Sequence, residues 1–357
     1  MPLINHAGGG GGTPQLCPQV ENFIATPENL GATLTWSAPS EDEDSSFVGV
    51  RIVRKVGSIP TSINDGAVVY EGTAFTYTDT GLTAGTTYYY RAFAYNAKKK
   101  YQTSLCTASL TAILGTYAYQ LPIGTRIVFP VDGVATNYIV VHQGKPDSSD
   151  YDDTADGTWI MSEKTFYTTA NHSNGFRWNV ASMAYVAYGT SALCAELDAK
   201  PSADGGYSVD AANAIKTYYP EDVLSRIRTV NVPYRPKGGK VDSTLKVSAQ
   251  LFAPSLAELG VDFSYTVGAK LDYFLSGEGA EALQKRVMQR QNSSTAVAYW
   301  TRDPSSSSAY ASTVLNTGQA PHSDMVTTYR DVPVFSVLFS NTRLSASPNS
   351  SGAYTFI

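Results

Sequence analysis

Between Val20 and Leu110, short runs of alternating apolar and polar residues are separated by turn signals. The clearest run is Thr87–Tyr95, where Tyr88, Tyr90, Ala92 and Ala94 alternate with Tyr89, Arg91 and Phe93. Alternation with period two predicts a strand that sends one set of side chains into a core and the other set outside. Further strands are predicted over Val20–Ala25, Ala32–Ser37, Val48–Lys55, Ala67–Glu71, Phe75–Asp79 and Ser104–Leu110. Pro39 closes the second of these because it cannot donate to a ladder. Short strands in this number, with turns between them, fit a two-sheet Greek key.

The pattern changes near residue 115. Gly124–Val131 and Tyr138–His142 read as strands joined through the turn at Asp132 and Gly133, and a polar loop then leads to a short apolar strand at Trp159–Met161. Over Ser208–Ile227 the residues Val209, Ala212, Ile215, Tyr218, Val223, Leu224 and Ile227 recur at helical spacing. Pro220 divides that stretch into two predicted helices, the second starting at Glu221. Shorter helices are predicted over Leu256–Gly260 and Ala280–Arg290, and the stretch from Val297 to Phe339 is again strand-like. Strands with segregated helices imply an α+β domain. The expected organisation is a glycine-rich anchor and tether over 1–16, a β-sandwich over 17–114 and an α+β domain over 115–357.

Composition narrows the function. The net charge is −5, and the one lysine cluster, Lys98 to Lys100, falls at a predicted loop tip. Phosphate neutralisation is therefore not expected, and neither is a nucleic-acid partner. No stretch approaches the ~20 apolar residues of a membrane span, and residues 1 to 6 lack the charge and apolar core of a secretory signal. The chain has 24 tyrosines set among Ser, Thr, Gly and Asn. Tyrosine with small polar residues offers a large contact area with few torsions to freeze, which suits adaptable recognition surfaces. Strands also favour tyrosine for packing alone. Three cysteines (Cys17, Cys106 and Cys194) make no disulfide scaffold.

Leu82, Gly85 and Tyr88, with Trp36 on the second strand, resemble the tyrosine corner and core tryptophan of a fibronectin type III module. That resemblance implies a spacer that positions other parts and does no chemistry. It also implies that Cys17 and Cys106 lie at one end of the module, within reach of a bridge, with free thiols the default in a reducing cytoplasm. The second region resembles a family of uncharacterised domains common in tail and surface proteins of phages and prophages. The collinear segments that carry the likeness are Ile139–Pro146, Gly157–Met161, Val230–Pro236, Leu251–Gly260, Gly268–Ser276 and Tyr299–Pro304. This family is similar to C-type-lectin-like folds, including the variable proteins of diversity-generating retroelements. There a polar stretch after a Trp-x-Arg-x-Pro segment forms the ligand face. The resemblance implies that Trp300 and Pro304 are framework, and that Ser307, Tyr310, Asn316, Gln319, His322, Asp324 and Tyr329 contact a ligand. Thr301 and the segment Asp331–Val334 depart from the family pattern and put the loop geometry in doubt.

The histidines His6, His142, His172 and His322 lie apart, without metal-ligand spacing, so no metal or other cofactor is expected. Ser243 and Lys246 have the Ser-x-x-Lys spacing without its companion motifs. Asp152, Thr154, Asp156, Gly157 and Glu163 fall at calcium-loop positions, or form an acidic turn before a strand. The expected protein is a virion component, assembled in the host cytoplasm, whose N-terminal region joins other virion proteins. Its lectin-like head would bind a bacterial surface glycan or protein, in several copies or as a homo-oligomer, and catalyse no reaction. A capsid decoration or head-fibre protein is the alternative, and an enzyme on the same scaffold is the second.

Overall fold

The structure is a computed structural model that describes residues 16–40, 46–166, 176, 178, 187–198, 214–236, 244–261, 263, 266–291, 293–304, 310–324 and 330–357. The chain divides into two compact units, Met1–Thr116 and Tyr117–Ile357. It is mostly β-sheet.

The first unit contains the strands that the alternation predicts. These are β1 (Glu21–Glu28), β2 (Gly31–Ser37), β3 (Gly49–Val56), β4 (Ala67–Gly72), β5 (Thr76–Thr80), β6 (Thr87–Tyr95) and β7 (Thr107–Thr111). One sheet has the order β1-β2-β5 and the other β4-β3-β6-β7. Leu34, Trp36, Val50, Ile52, Tyr88, Tyr90, Ala92 and Ala94 belong to one buried cluster. The opposite face of β6 is less open than alternation predicts, since Arg91 and Phe93 are buried as well. Arg91 donates to the carbonyls of Pro60 and Thr61 and lies 4.6 Å from the Phe93 ring centroid, so the segment after β3 roofs that face. The Tyr88 hydroxyl accepts the Thr83 backbone N–H at 3.1 Å, which pins the turn before β6.

None of the three cysteines is in a disulfide. The Cys106 thiol donates to the Val20 carbonyl at 3.3 Å, and burial pushes its pKa up to about 11. A thiolate is the reactive form, so this side chain is chemically quiet. Titration of denatured, non-reduced protein should find three thiols; finding one would establish the bridge.

Two-residue strands β8 (Thr116–Tyr117) and β21 (Arg343–Leu344) flank the main sheet in sequence. That sheet has the order β20-β11-β10-β9-β22. Its members are β9 (Arg126–Val131), β10 (Val134–Gln143), β11 (Thr158–Ser162), β20 (Phe335–Leu338) and β22 (Ala353–Thr355). All pairings are antiparallel except β22 on β9. Asp132 and Gly133 form the predicted two-residue turn with φ of +51° and +70°. Positive φ at both positions matches the right-handed twist of a hairpin.

Three smaller sheets complete the unit. They are β12 (Lys164–Thr165) with β15 (Met288–Arg290) and β16 (Ala296–Val297), β13 (Val230–Tyr234) with β14 (Leu245–Ala249), and β17 (Tyr299–Pro304) with β18 (Tyr310–Val314) and β19 (His322–Asp324). Trp159, Trp178 and Trp300 are fully buried, and Trp178 meets Trp300 edge to face at 6.1 Å.

Helix is scarcer than the periodicity predicts. The stretch Ser208–Ile227 holds a 3-10 turn, Ile215–Tyr218, and a single α-turn, α2 (Glu221–Leu224), entered from Pro220. Its first residues, 208–213, lie outside the described residues. Leu256–Gly260 is a single turn: Ser255 and Glu258 cap its start reciprocally, and Gly260 ends it at φ of +77°. Of Ala280–Arg290, only α3 (Ala280–Arg286) is helical, and β15 takes over. One helix was not predicted, α1 (Ala192–Asp198), which is buried on every side.

Candidate functional site

β17 and β18 form the floor on which the candidate ligand residues stand. Every residue of β17 is buried, including Trp300 and Pro304, and the Trp300 indole N–H donates to the Phe176 carbonyl at 2.8 Å. On β18, Ala311 to Val314 are buried, whereas Tyr310 at its start is 43% exposed. Tyr310 pairs in register with Asp324, and Ser312 pairs with His322. Asn316 and Gln319 occupy the turn at the other end of β18, and both are exposed. About five residues of strand, on the order of 17 Å, separate them from Tyr310. The strand therefore divides the candidates into two groups. Tyr310, His322 and Asp324 share the β18–β19 ladder, and Asn316 and Gln319 sit at the tip. Ser307 and Tyr329 lie outside the described residues.

The tip is tightly specified. Leu315 N–H donates to the Gln319 carbonyl at 2.8 Å, and Gly318 N–H to the Leu315 carbonyl at 2.9 Å. Gly318 has φ of +84°, and a Cβ there would meet the Leu283 carbonyl oxygen at 2.2 Å, so only glycine fits. Beside the tip is a groove of about 460 Å³, lined by Val261, Phe263, Glu278, Leu315, Gln319 and Pro321 among others. Its far wall is fixed by Arg286, a fully buried guanidinium that donates to the carbonyls of Leu259, Gly260, Leu275 and Gly277 and pairs with Glu278 at 3.2 Å.

Beneath this surface lies a charged cluster that the sequence did not announce. Arg302 and Glu258 are both fully buried and bonded through two 2.6 Å contacts. Tyr151 also donates to Glu258, while Arg302 reaches the carbonyls of Pro233 and Ala253. Burial opposes the Arg302 charge, but the Glu258 carboxylate more than offsets it, so the guanidinium pKa rises above its ordinary value. The neighbouring Asp303 is 1% exposed, and one of its oxygens receives the Leu256 N–H at 2.6 Å. Its second oxygen has no partner, and burial raises its pKa to about 7 despite Arg302 nearby. The cluster is sealed from solvent and acts as framework.

The calcium-loop pattern dissolves in the same way. Asp152 accepts from Thr154, Asn231 and Lys246, and Glu163 accepts from Arg126 and Asn137. These bonds explain the acidic turn without a cation. Ser243 lies outside the described residues, and its spacing partner Lys246 is the Asp152 ion pair.

The chain belongs to the family described as a domain of unknown function, DUF6273, which matches residues 156–338. The match opens just before β11 and ends with β20, so β9, β10 and β22 complete the main sheet from outside it. No curated protein matches the chain.

Proposed function

We propose that the protein is a virion component that binds a bacterial surface molecule through its second unit and catalyses no reaction. The exposed Tyr310, standing on a strand whose other residues are buried framework, carries this reading. A rigid aromatic on a fixed base loses little entropy on binding and is the usual form of an interface anchor. Asn316 and Gln319 add exposed amides at the tip of the same strand.

In the first unit, the three- and four-stranded sheets, the buried Trp36 and the Tyr88–Thr83 bond favour a fibronectin type III spacer. For the second unit, the buried Trp300 and Pro304 favour a lectin-like head. Single sites of this kind bind weakly, and several copies on one particle would supply avidity through effective concentration.

The test is binding of the full chain to host cells. Tyr310→Ala combined with Tyr329→Ala should weaken binding by about tenfold or more. The melting temperature of Tyr310→Ala alone should stay nearly unchanged, because Tyr310 is exposed and such substitutions usually move stability by only ~0.5 kcal/mol. Undiminished cell binding by that variant would remove these tyrosines from the ligand face.

A further inference from the structure

A second cleft on the same unit shares no lining residue with the groove at the β18–β19 tip. It measures about 420 Å³ and joins a smaller recess of about 220 Å³ through Glu163 and Lys164, which line both. Its apolar part comes from Ile139 and Met161, directly paired across β10 and β11, together with Met288. Tyr273 stands on another side, and Lys164, Gln284, Lys285 and Gln289 supply polar groups.

Charge in this cleft is unbalanced. Glu163 is already neutralised by Arg126, whose Nε donates at 2.9 Å, and it accepts a further bond from the Asn137 amide at 3.0 Å. Lys164 donates to the Ser293 carbonyl at 2.8 Å, and Lys285 Nζ lies 4.1 Å from the Tyr273 ring centroid. Neither ammonium has a carboxylate partner among the described residues. In a chain of net charge −5, two uncompensated lysines lining one concave site mark a place for an anion. The exposed amides of Gln284 and Gln289 make no hydrogen bond within the described fold and can each both donate and accept. Burial, reinforced by Glu163, raises the Tyr273 phenol pKa, so its hydroxyl stays neutral and able to donate.

We propose that this cleft binds an anionic saccharide. Lys164 and Lys285 take the acid group, Gln284 and Gln289 take hydroxyls, and Tyr273 with Ile139 and Met161 takes the C–H face of the ring. The choice of a sugar over other anions rests on the adhesion reading above. The position of the site rests only on the cleft and its charges. A nucleic acid fits poorly, because two lysines in one cleft do not make the extended basic track that a phosphate backbone requires.

Calorimetric titration of the full chain with an oligogalacturonate, its methyl ester and a phosphate-bearing mannan tests the proposal. At least one acidic saccharide should bind, more weakly as salt rises, and the neutral ester should not. Lys164→Gln with Lys285→Gln should weaken that binding by about tenfold or more, with an unchanged melting temperature. Lys285→Arg should retain most of it. Binding of neither acidic saccharide, equal binding of the ester, or full binding by the double glutamine variant overturns the proposal. Tyr310→Ala with Tyr329→Ala should leave saccharide binding intact. If the saccharide binds while the protein ignores host cells, the adhesion reading falls and the cleft stands. Cell binding with no saccharide bound removes the cleft alone.

Discussion

Arg302→Met should destabilise the second unit by about 3–5 kcal/mol, seen as a large fall in the urea midpoint followed by tryptophan fluorescence. The substitution leaves Glu258 fully buried with its carboxylate facing an apolar side chain. It also strips donors from the carbonyls of Pro233 and Ala253. Removing one partner of a buried pair is costly mainly because the other charge stays behind unpaired. A second substitution, Glu258→Gln, should therefore recover a large part of the loss, since the charge is gone and an amide oxygen can still accept from Tyr151. If the single and double variants are equally unstable, packing of the guanidinium, rather than its charge, holds this part of the fold.

Stability should fall as pH rises from about 4 to about 7, and Asp303→Asn should flatten that slope. The Asp303 carboxyl has its pKa raised to about 7 in the folded chain, against an ordinary value of 3.8. In that window the folded protein holds a proton that the unfolded chain releases, so its contribution is complete below the unfolded value and lost through the folded one. The difference, about three pKa units, is worth on the order of 4 kcal/mol. Arg302, which favours the Asp303 charge, and Glu258, which opposes it, are the charged groups that face it. Carboxylates with lowered pKa act elsewhere on the scale. At Asp152, burial opposes the charge, but bonds from Thr154, Asn231 and Lys246 outweigh it, so its contribution is lost only in stronger acid. Melting curves of wild type and Asp303→Asn at intervals from pH 4.5 to 8 decide the point. Parallel curves would show that Asp303 is ionised throughout.

Alternation and turn residues were enough to locate the strands of the first unit, because each is short, with its signal confined to its own residues; β6 kept its alternation although both its faces are buried. The same logic found β9, its Asp132–Gly133 turn, β10 and β11. It missed α1 because Ala192–Asp198 is buried on all sides, and such a helix has no polar face to set the period. It over-read Leu256–Gly260 as helix because the stretch starts like one, with a Ser255–Glu258 cap, and turns out of it at Gly260; the Asp303 carboxylate that holds the Leu256 N–H comes from far along the chain. The Arg302–Glu258 pair was invisible for the same reason: the partners are 44 residues apart, and neither sits in a recognisable motif. At the candidate ligand face, the family resemblance marked Tyr310, Asn316 and Gln319 as exposed contact candidates, and all three are exposed. Their division between the two ends of β18 depends on the β18–β19 register, which no local pattern encodes.

The parallel pairing of β22 on β9 sets an order of events during folding. β9 and β10 close locally through a two-residue turn, an event of microseconds. Ala353 must find Arg126 across almost the whole unit, and non-local pairing of this kind is slow. Until it does, β9 offers a bare backbone edge, interrupted only where Pro130 lacks a donor. Refolding at high protein concentration should therefore lose yield to aggregation through that edge, and a peptide carrying the β22 sequence, added in excess, should compete for it.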